Sequence, residues 1–391
     1  MPTSFSGSLN SNEIFAALYN MIISQQVFAD NIKGTYAALV DHFKVDGSLY
    51  GDTKLYYASD VLKSRAWLND SEASNLLAIN RPAAPSCQAV VIDQFRQIDI
   101  TVDNYLSKRA WGTEGAFASF NSVVLGWIRD TKRVYESKLM NVYVGNTKTS
   151  TGKQSISVDI STAIASASTQ EEANRLEAQV IAQSLADLFV ELRDSTRDYN
   201  DYAYLRSYVD DDLMVIMNSK YLNKITKLDL PTIFHNDTLK EKLDQYALPP
   251  KYFGIPITAS NISTYTDSGS GSAGKPITSG GVYAPGSNHA NGTLRSLVEQ
   301  DFTVSTVVTH VFPGDEIPTG AAVTGTSNVY IEDATVICKV IHKRSIPFMS
   351  AFEIGTSFFN PRSLTENHYL TWGYSKPDYL ANYPFITLLK A

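Results

Sequence analysis

The stretch from Thr113 to Gly145 constrains the fold most, because it predicts a single long amphipathic helix. Thr113 is a suitable N-cap, and Gly145 is a suitable C-terminal stop. About thirty residues at ~1.5 Å each make a rod of roughly 45 Å, whereas helices in globular proteins average about 11–12 residues. Taken alone, the helix also fits the core of an all-α domain, so the flanking segments decide its meaning. Its apolar stripe comprises Phe117, Phe120, Val124, Trp127, Val134, Leu139 and Val142.

The segment before the helix predicts an extended two-stranded loop. Residues 54–58 can form one strand, and Cys87–Leu106 has a longer β pattern in which polar and apolar residues alternate. The intervening residues, 61–85, predict a less ordered tip. A two-stranded ribbon is marginal alone and needs a partner to cover it, and another subunit is one such partner. The candidate contact residues are Leu55, Tyr56, Tyr57 and Trp67.

The chain after the helix predicts a mixed α/β region. Lys153–Ile160 alternates as a strand, and the capping box Thr169–Glu172 starts a second amphipathic helix. Leu213–Met217 predicts a short buried strand, followed by a turn at Asn218-Ser219 and a helix. The Gly/Ser/Pro-rich segment 260–292 predicts an irregular or mobile loop. Strand patterns then continue from Thr293 to an apolar strand at the end of the sequence.

The charge balance argues against a dedicated nucleic-acid binder. The formal net charge is −7, and phosphate contacts need clustered Lys and Arg. The sequence starts without the basic and apolar regions of a secretory signal, and it holds no apolar run long enough to span a membrane. Cys87 and Cys338 suit neither a disulfide framework nor a zinc site, so we expect two buried thiols in a reducing compartment.

Motifs that would indicate an enzyme are weak in this sequence. Gly269–Lys275 matches the start of a phosphate-binding loop, but Pro276 occupies the position of the magnesium-binding Ser or Thr and obstructs the helix that should follow. Tyr208–Asp211 resembles a paired-aspartate metal turn but lacks further acidic residues in a suitable context. The histidines are scattered without metal-ligand spacing. We therefore expect no catalytic site, no cofactor and no bound metal.

In order, the segments form a polar arm, a two-stranded loop, a long helix, an α/β region and a closing β segment. This order resembles the major capsid proteins of tailed bacteriophages, which have the Hong Kong 97-type fold. The resemblance implies an α+β class in which the long helix is the spine of a peripheral domain and an axial domain packs around symmetry axes. The implied divisions are 1–45 for the arm with a short helix, 46–102 for the extended loop, 103–165 and 332–391 for the peripheral domain with its spine helix at 113–145, and 166–331 for the axial domain with its Gly/Ser-rich loop at 260–292.

The same resemblance implies the function. It predicts a structural protein of the virion that assembles into hexamers and pentamers of an icosahedral shell and encloses double-stranded DNA without reading its sequence. Scaffolding, portal and decoration proteins are the implied partners, and the host bacterial cytoplasm is the implied place of assembly. The alternatives are an encapsulin-type nanocompartment shell, a nucleotide-binding enzyme that uses Gly269–Lys275, and another phage structural or adhesion protein with a display loop.

Overall fold

The computed structural model describes residues 37–46, 53–64, 66–67, 79, 81–103, 114–148, 153–226, 246–267, 274–285 and 292–391. Within these residues helices and strands are mixed, as the predicted α+β class requires. The predicted polar arm and its helix near Asn12 lie outside the described residues. The first described elements are helix α1, Ala37–Phe43, and strand β1, Lys44–Asp46.

The predicted long helix is confirmed. Helix α2 spans Glu114–Gly145 and thus begins directly after the predicted N-cap. The expected role of Gly145 needs correction, because this residue lacks the positive φ of a left-handed helix stop. A Cβ atom on Gly145 would lie 2.1 Å from the Tyr252 carbonyl oxygen. The glycine is needed because another part of the backbone passes very close to the end of the helix.

The predicted two-stranded loop contains the expected antiparallel strands. Strand β2, Thr53–Ala58, pairs with strand β3, Ser86–Asp103, so that Ala58 lies opposite Ser86. Both belong to a sheet whose described strands are ordered β1-β13-β14-β3-β2. Strand β1 is parallel to the start of β13. The remaining strands of this sheet are β13, Phe348–Asn360, and β14, Thr365–Ser375.

A second sheet forms the centre of the larger core. Its described strands follow the order β4-β15-β12-β5-β6. Every residue of β5 and β12 is buried, which is typical of strands covered on both faces. The strands are β4, Ser155–Val158; β5, Leu213–Asn218; β6, Ala247–Leu248; β12, Val336–His342; and β15, Phe385–Lys390.

Helices pack against this central sheet through one apolar cluster. The predicted capping box at the start of α4 is confirmed, since the Thr169 side chain accepts a hydrogen bond from the Glu172 N–H at 3.2 Å. The Glu172 carboxylate in turn accepts from the Ser168 N–H at 3.0 Å, one residue before the position that the motif predicts. The helices here are α3, Ile160–Ile164; α4, Gln170–Arg193; and α5, Ser219–Thr226.

The predicted turn at Asn218-Ser219 is not formed, because β5 ends at Asn218 and α5 begins at Ser219. The Asn218 side chain replaces the turn by accepting a hydrogen bond from the Lys220 N–H at 3.1 Å. The strand predicted at Lys153–Ile160 is shorter than expected, because β4 stops at Val158 and α3 starts at Ile160.

A smaller β region has its own apolar cluster. In it β11 lies between β7 and β8, and β9 forms an antiparallel pair with β10. The region also contains helix α6, Ile262–Tyr265. A 3-10 turn at Pro250–Tyr252 comes directly before β7. A second 3-10 turn, Asp210–Asp212, comes directly before β5 in the central sheet. The strands are β7, Gly254–Pro256; β8, Leu294–Ser296; β9, Gln300–Val304; β10, Val307–Val311; and β11, Val329–Glu332.

Residues 260–292 were predicted to form an irregular or mobile loop, and apart from α6 their described part is irregular, but some of its side chains pack into the core. Ile277 and Tyr283 are 0% and 1% exposed and belong to the core of the small β region. The Tyr283 hydroxyl donates to Glu316 at 2.9 Å. The glycines and serines permit tight local backbone turns, while the few large apolar residues between them supply the packing.

The described residues form two compact units. One contains Phe95–Val134 and Phe352–Trp372, and the other contains Ala38–Gln94, Tyr135–Ala351 and Gly373–Ala391. The predicted boundary between residues 331 and 332 divides one sheet, because Cys338–His342 of β12 pair with β5. Strand β12 is buried along its whole length, and such a strand is stable in the middle of a sheet and not at an edge.

Candidate functional site

The β2–β3 ribbon places its side chains alternately toward the subunit and toward solvent. Leu55 and Tyr57 are 52% and 66% exposed, whereas Tyr56 between them is half-buried. Burial, followed by the neighbouring Tyr383 of the same subunit, raises the pKa of the Tyr56 hydroxyl. Of the predicted contact residues on β2, Leu55 and Tyr57 therefore remain available to another molecule.

The joining segment, residues 61–85 between β2 and β3, carries the most exposed apolar side chains of the described part of the chain. Trp67 is 86% exposed, and Ile79 and Leu62 are nearly as exposed, at 79% and 78%. A large exposed aromatic residue loses much contact with water when a partner covers it, and such residues often dominate binding. The sequence pattern indicated Trp67 but missed Leu62 and Ile79, because an irregular segment has no period that separates exposed from buried positions.

Helix α2 was predicted to pack through Phe117, Phe120, Val124 and Trp127. The first three of these side chains lie outside the described part of the structure, and Trp127 is half-buried. Deep burial occurs farther along the helix, where Met140 and Val144 are fully buried.

Among the charged residues of α2, Glu136 does not face solvent. Its side chain is buried, and its carboxylate lies 3.4 Å from Lys44 Nζ. Lys138 Nζ forms an ion pair with Asp315 at 2.7 Å. These charges thus bind other parts of the same subunit, because a long helix inside a folded chain is approached from several sides.

Buried titratable groups in the central sheet have structural surroundings. Lys339 on β12 is fully buried, and its Nζ donates hydrogen bonds to Thr387 at 2.7 Å and to the Asn146 carbonyl at 3.2 Å. Burial lowers the pKa of Lys339 well below its ordinary value. Burial likewise lowers the pKa of His342, to about 4, and this ring stacks on Tyr383. Neither side chain is exposed enough to meet a substrate.

The weak enzyme motifs gain no support from the structure. Asp210 lies in a 3-10 turn, and its carboxylate forms an ion pair with Arg193. Pro276 and Lys275 lie in the irregular segment, outside any helix. Among the described residues, no group of three or more His, Cys, Asp or Glu side chains could hold a metal ion. In the same part of the chain, no helix combines the length and apolarity needed to cross a membrane.

The two cysteines are free, and one of them differs from expectation. Cys338 is buried as predicted, and burial raises the pKa of its thiol to about 12. Cys87 is exposed instead; it is the second residue of β3, where exposed and partly buried positions alternate.

A family model described as "Phi29-like phage major capsid protein" matches residues 6–376 of the chain. The chain belongs to this family. This phage major capsid protein is therefore a structural component of the viral head shell. The match spans nearly the whole sequence, so it includes the long helix, the β2–β3 ribbon and every strand of the central sheet except β15.

Solved structures establish the fold of this capsid protein independently. A chain from "Capsid structure of Staphylococcus phage Andhra" is similar at 10% identity and a TM-score of 0.57, covering 94% of this chain and 87% of that chain. A chain from "Structure of head fiber and inner core protein gp22 of native bacteriophage P68" is similar at 12% identity and a TM-score of 0.56, covering 90% and 84%. The predicted Hong Kong 97-type capsid fold is thereby confirmed. No curated protein sequence matches the chain.

Proposed function

We propose that this capsid protein assembles as hexamers and pentamers of a closed icosahedral shell, with the β2–β3 ribbon and its joining segment in contact with the neighbouring copy. One observation carries the proposal: the most exposed apolar side chains of the described residues are concentrated there. Leu62, Trp67 and Ile79 are each more than three-quarters exposed. Exposed apolar patches of this kind mark interaction surfaces.

A second copy is the partner that suits a shell protein. Shells close when one surface of each subunit meets a different surface of the next, and the contact repeats with closing symmetry. In this arrangement the long helix α2 is the spine of a peripheral domain. The central sheet with α4, including β12 and β15, forms the axial domain near the symmetry axes.

The interior of the proposed shell encloses double-stranded DNA without gripping it. The net charge of −7 supports this role, because an acidic subunit does not bind phosphates tightly and leaves DNA free to move during packaging. A portal for DNA entry, scaffolding proteins and decoration proteins complete the proposed partners. The proposed place of assembly is the cytoplasm of the bacterial host.

The test expresses the full chain together with the other head proteins of its phage and counts shells by negative-stain electron microscopy. A double variant, Leu62→Ser with Trp67→Ser, is expected to leave soluble, folded subunits that no longer form shells. The matched control is Val190→Ser with Val209→Ser, which changes residues that are 63% and 64% exposed on other parts of the subunit. Normal shells from the first variant would contradict the proposed contact.

Removal of residues 61–85 tests the same surface more severely. A short Gly/Ser turn between Asp60 and Ser86 can replace them, because Ala58 and Ser86 already face each other across the ribbon. We expect the shortened chain to fold and to fail in assembly. Closed particles from the shortened chain would show that the joining segment is dispensable.

A further inference from the structure

The start of the joining segment is fixed to its own subunit by Asp60. One oxygen of this carboxylate accepts a hydrogen bond from the Leu205 backbone N–H at 3.0 Å. The other oxygen forms an ion pair with Arg197 Nη1 at 2.6 Å. Both donors lie in Thr196–Arg206, which we call the anchor segment.

The anchor segment also holds the residues on either side of the joining segment. Arg206 Nη2 donates to the Ser59 carbonyl oxygen at 2.7 Å. At the other end, the hydroxyls of Ser86 and Tyr204 are 2.6 Å apart. The point where the chain leaves the ribbon and the point where it returns are thus both tied to the same short stretch.

Strand β3 has a further attachment just beyond this point. The Gln88 side chain donates to the Tyr379 carbonyl at 2.9 Å and accepts from the Ala381 N–H at 3.0 Å. Both the NH2 and the C=O of this side-chain amide are therefore hydrogen-bonded, and they tie the start of β3 to the backbone of residues 379–381.

The anchor segment is itself closed by its own hydrogen bonds. Thr196 and Arg206 exchange two backbone hydrogen bonds, each of 2.9 Å. The buried Asn200 side chain donates to the Tyr204 carbonyl at 2.7 Å and accepts from its N–H at 2.8 Å. Ala203 has a left-handed backbone with φ of 52°, a strained state that persists only where surrounding contacts determine it.

The strained residue is connected to Asp60 through Arg197. The Ala203 carbonyl accepts a hydrogen bond at 2.8 Å from Arg197 Nη1, the same atom that contacts Asp60. The left-handed turn therefore places an acceptor that holds the guanidinium in the orientation that Asp60 needs. The same Arg197 nitrogen thus links the anchor segment to Asp60.

The charge of Asp60 is maintained by the same contacts. The Leu205 N–H, followed by Arg197, lowers the pKa of the Asp60 carboxyl to about 2. The carboxyl is therefore ionised throughout the neutral range, and the anchoring contacts do not depend on ordinary changes of pH. They are lost only when the pH falls toward that value.

We propose that Asp60 and the anchor segment position the start of the joining segment, so that the exposed side chains of Leu62 and Trp67 are held in place before they meet the next copy. Ordering a surface before binding removes part of the conformational entropy that is otherwise lost on association. This inference rests on the proposed function, because it assumes that the joining segment contacts a neighbour. Asp60 acts as a positioning residue and contacts no partner itself.

Hydrogen exchange in unassembled, full-length subunits tests the anchor directly. Asp60→Ala is expected to speed amide exchange in residues 53–60 and 86–92 by about tenfold, which corresponds to the loss of one hydrogen bond to a charged group. Exchange in β5 and β12 should stay unchanged, which separates loss of positioning from loss of fold. Asp60→Asn keeps an oxygen for the Leu205 N–H and should give an intermediate rate. Unchanged exchange at the ribbon in Asp60→Ala would overturn the proposal.

Shell formation by the same variants supplies the second measurement. Asp60→Ala should assemble severalfold more slowly at equal concentration, whereas Lys153→Gln, which removes an exposed ion pair with Asp198 in the anchor segment, should assemble normally. Faster exchange with an unchanged assembly rate would also overturn the positioning role. If the Leu62→Ser and Trp67→Ser double variant forms normal shells, the proposed contact fails, and the exchange result still reports on the anchor.

Discussion

Strands β12 and β2 differ in what covers their apolar side chains. Every residue of β12 is buried by its own subunit, whereas β2 alternates between exposed and half-buried positions. Full burial of a Leu or Ile side chain contributes about 1.5–3 kcal/mol to folding, so the central sheet stabilises the subunit. The exposed apolar residues of the ribbon contribute little to folding, and their surface remains available for association.

The largest expected effect comes from comparing a Leu→Ala substitution in the central sheet with the same substitution in the ribbon. Leu388→Ala in β15 should lower the free energy of unfolding by about 2–5 kcal/mol, because the side chain is fully buried and leaves a cavity. Leu55→Ala in β2, where the side chain is 52% exposed, should change it by less than about 0.5 kcal/mol. Urea unfolding of unassembled subunits measures both. Equal losses would remove the distinction between the two regions.

A smaller loss is expected from the ion cluster around Glu177 on α4. Its buried carboxylate lies 2.7 Å from Lys224 Nζ and 3.2 Å from Lys390 Nζ. Burial acts to raise the pKa of Glu177, but the hydrogen bonds and charges of the two lysines outweigh it and lower the pKa. Glu177→Ala should cost about 2 kcal/mol, below the usual range for buried pairs because both lysines are partly exposed.

The control for this cluster is the exposed pair of Lys153 and Asp198, whose atoms lie 2.9 Å apart. Lys153→Ala should leave the free energy of unfolding nearly unchanged, because an exposed ion pair is screened by water. A loss as large as that of Glu177→Ala would show that burial is not what strengthens the cluster.

A gain in stability is expected from Lys339→Met in β12, where burial opposes a charge. The ammonium form is disfavoured in the core, so Met should stabilise the subunit by about 1 kcal/mol near neutral pH. The pKa of Lys339 is lowered in the folded state, so the cost it imposes disappears as pH rises toward the ordinary value of 10.5. The difference between variant and wild type should therefore shrink from about pH 7 to about pH 10. A pH-independent difference would contradict a buried titrating amine.

The smallest effect is expected at the β9–β10 hairpin, which is exposed like the ribbon but held by charge. His310 Nδ1 lies 2.7 Å from Asp301 and Nε2 lies 2.8 Å from Glu299, so both ring nitrogens face carboxylates. The Asp301 hydrogen bond raises the pKa of His310, burial partly opposes it, and Glu299 adds to the rise. This stabilisation is present below about pH 6.5 and is lost as pH rises through the higher folded pKa.

NMR titration of the His310 ring measures that pKa directly. An exposed pair contributes at most about 1 kcal/mol, so the corresponding pH dependence of stability should be small and absent in His310→Gln. A ring that titrates at or below the ordinary pKa would rule out the charge-held hairpin.

Part of the candidate surface could be predicted from the sequence, and part could not. Alternation along β2 correctly indicated that Leu55 and Tyr57 share one face. The same pattern could not show that Tyr56 faces its own subunit near Tyr383, or that Leu62 and Ile79 are exposed. The ties between Asp60 and the anchor segment join residues more than a hundred positions apart, and no local pattern encodes such a pairing.

The sequence by itself determined which local elements form. The length of α2, the start of α4 at Thr169 and the buried character of β5 follow from spacing, capping and apolar runs, which act within a few residues. Only the tertiary structure decided which strands pair, so that β12 lies between β15 and β5 in the central sheet. It also decided that Lys339 and Glu136 are buried and that Gly145 must be small. Periodicity specifies the type of an element, but the neighbour that covers it is chosen by packing across the whole chain.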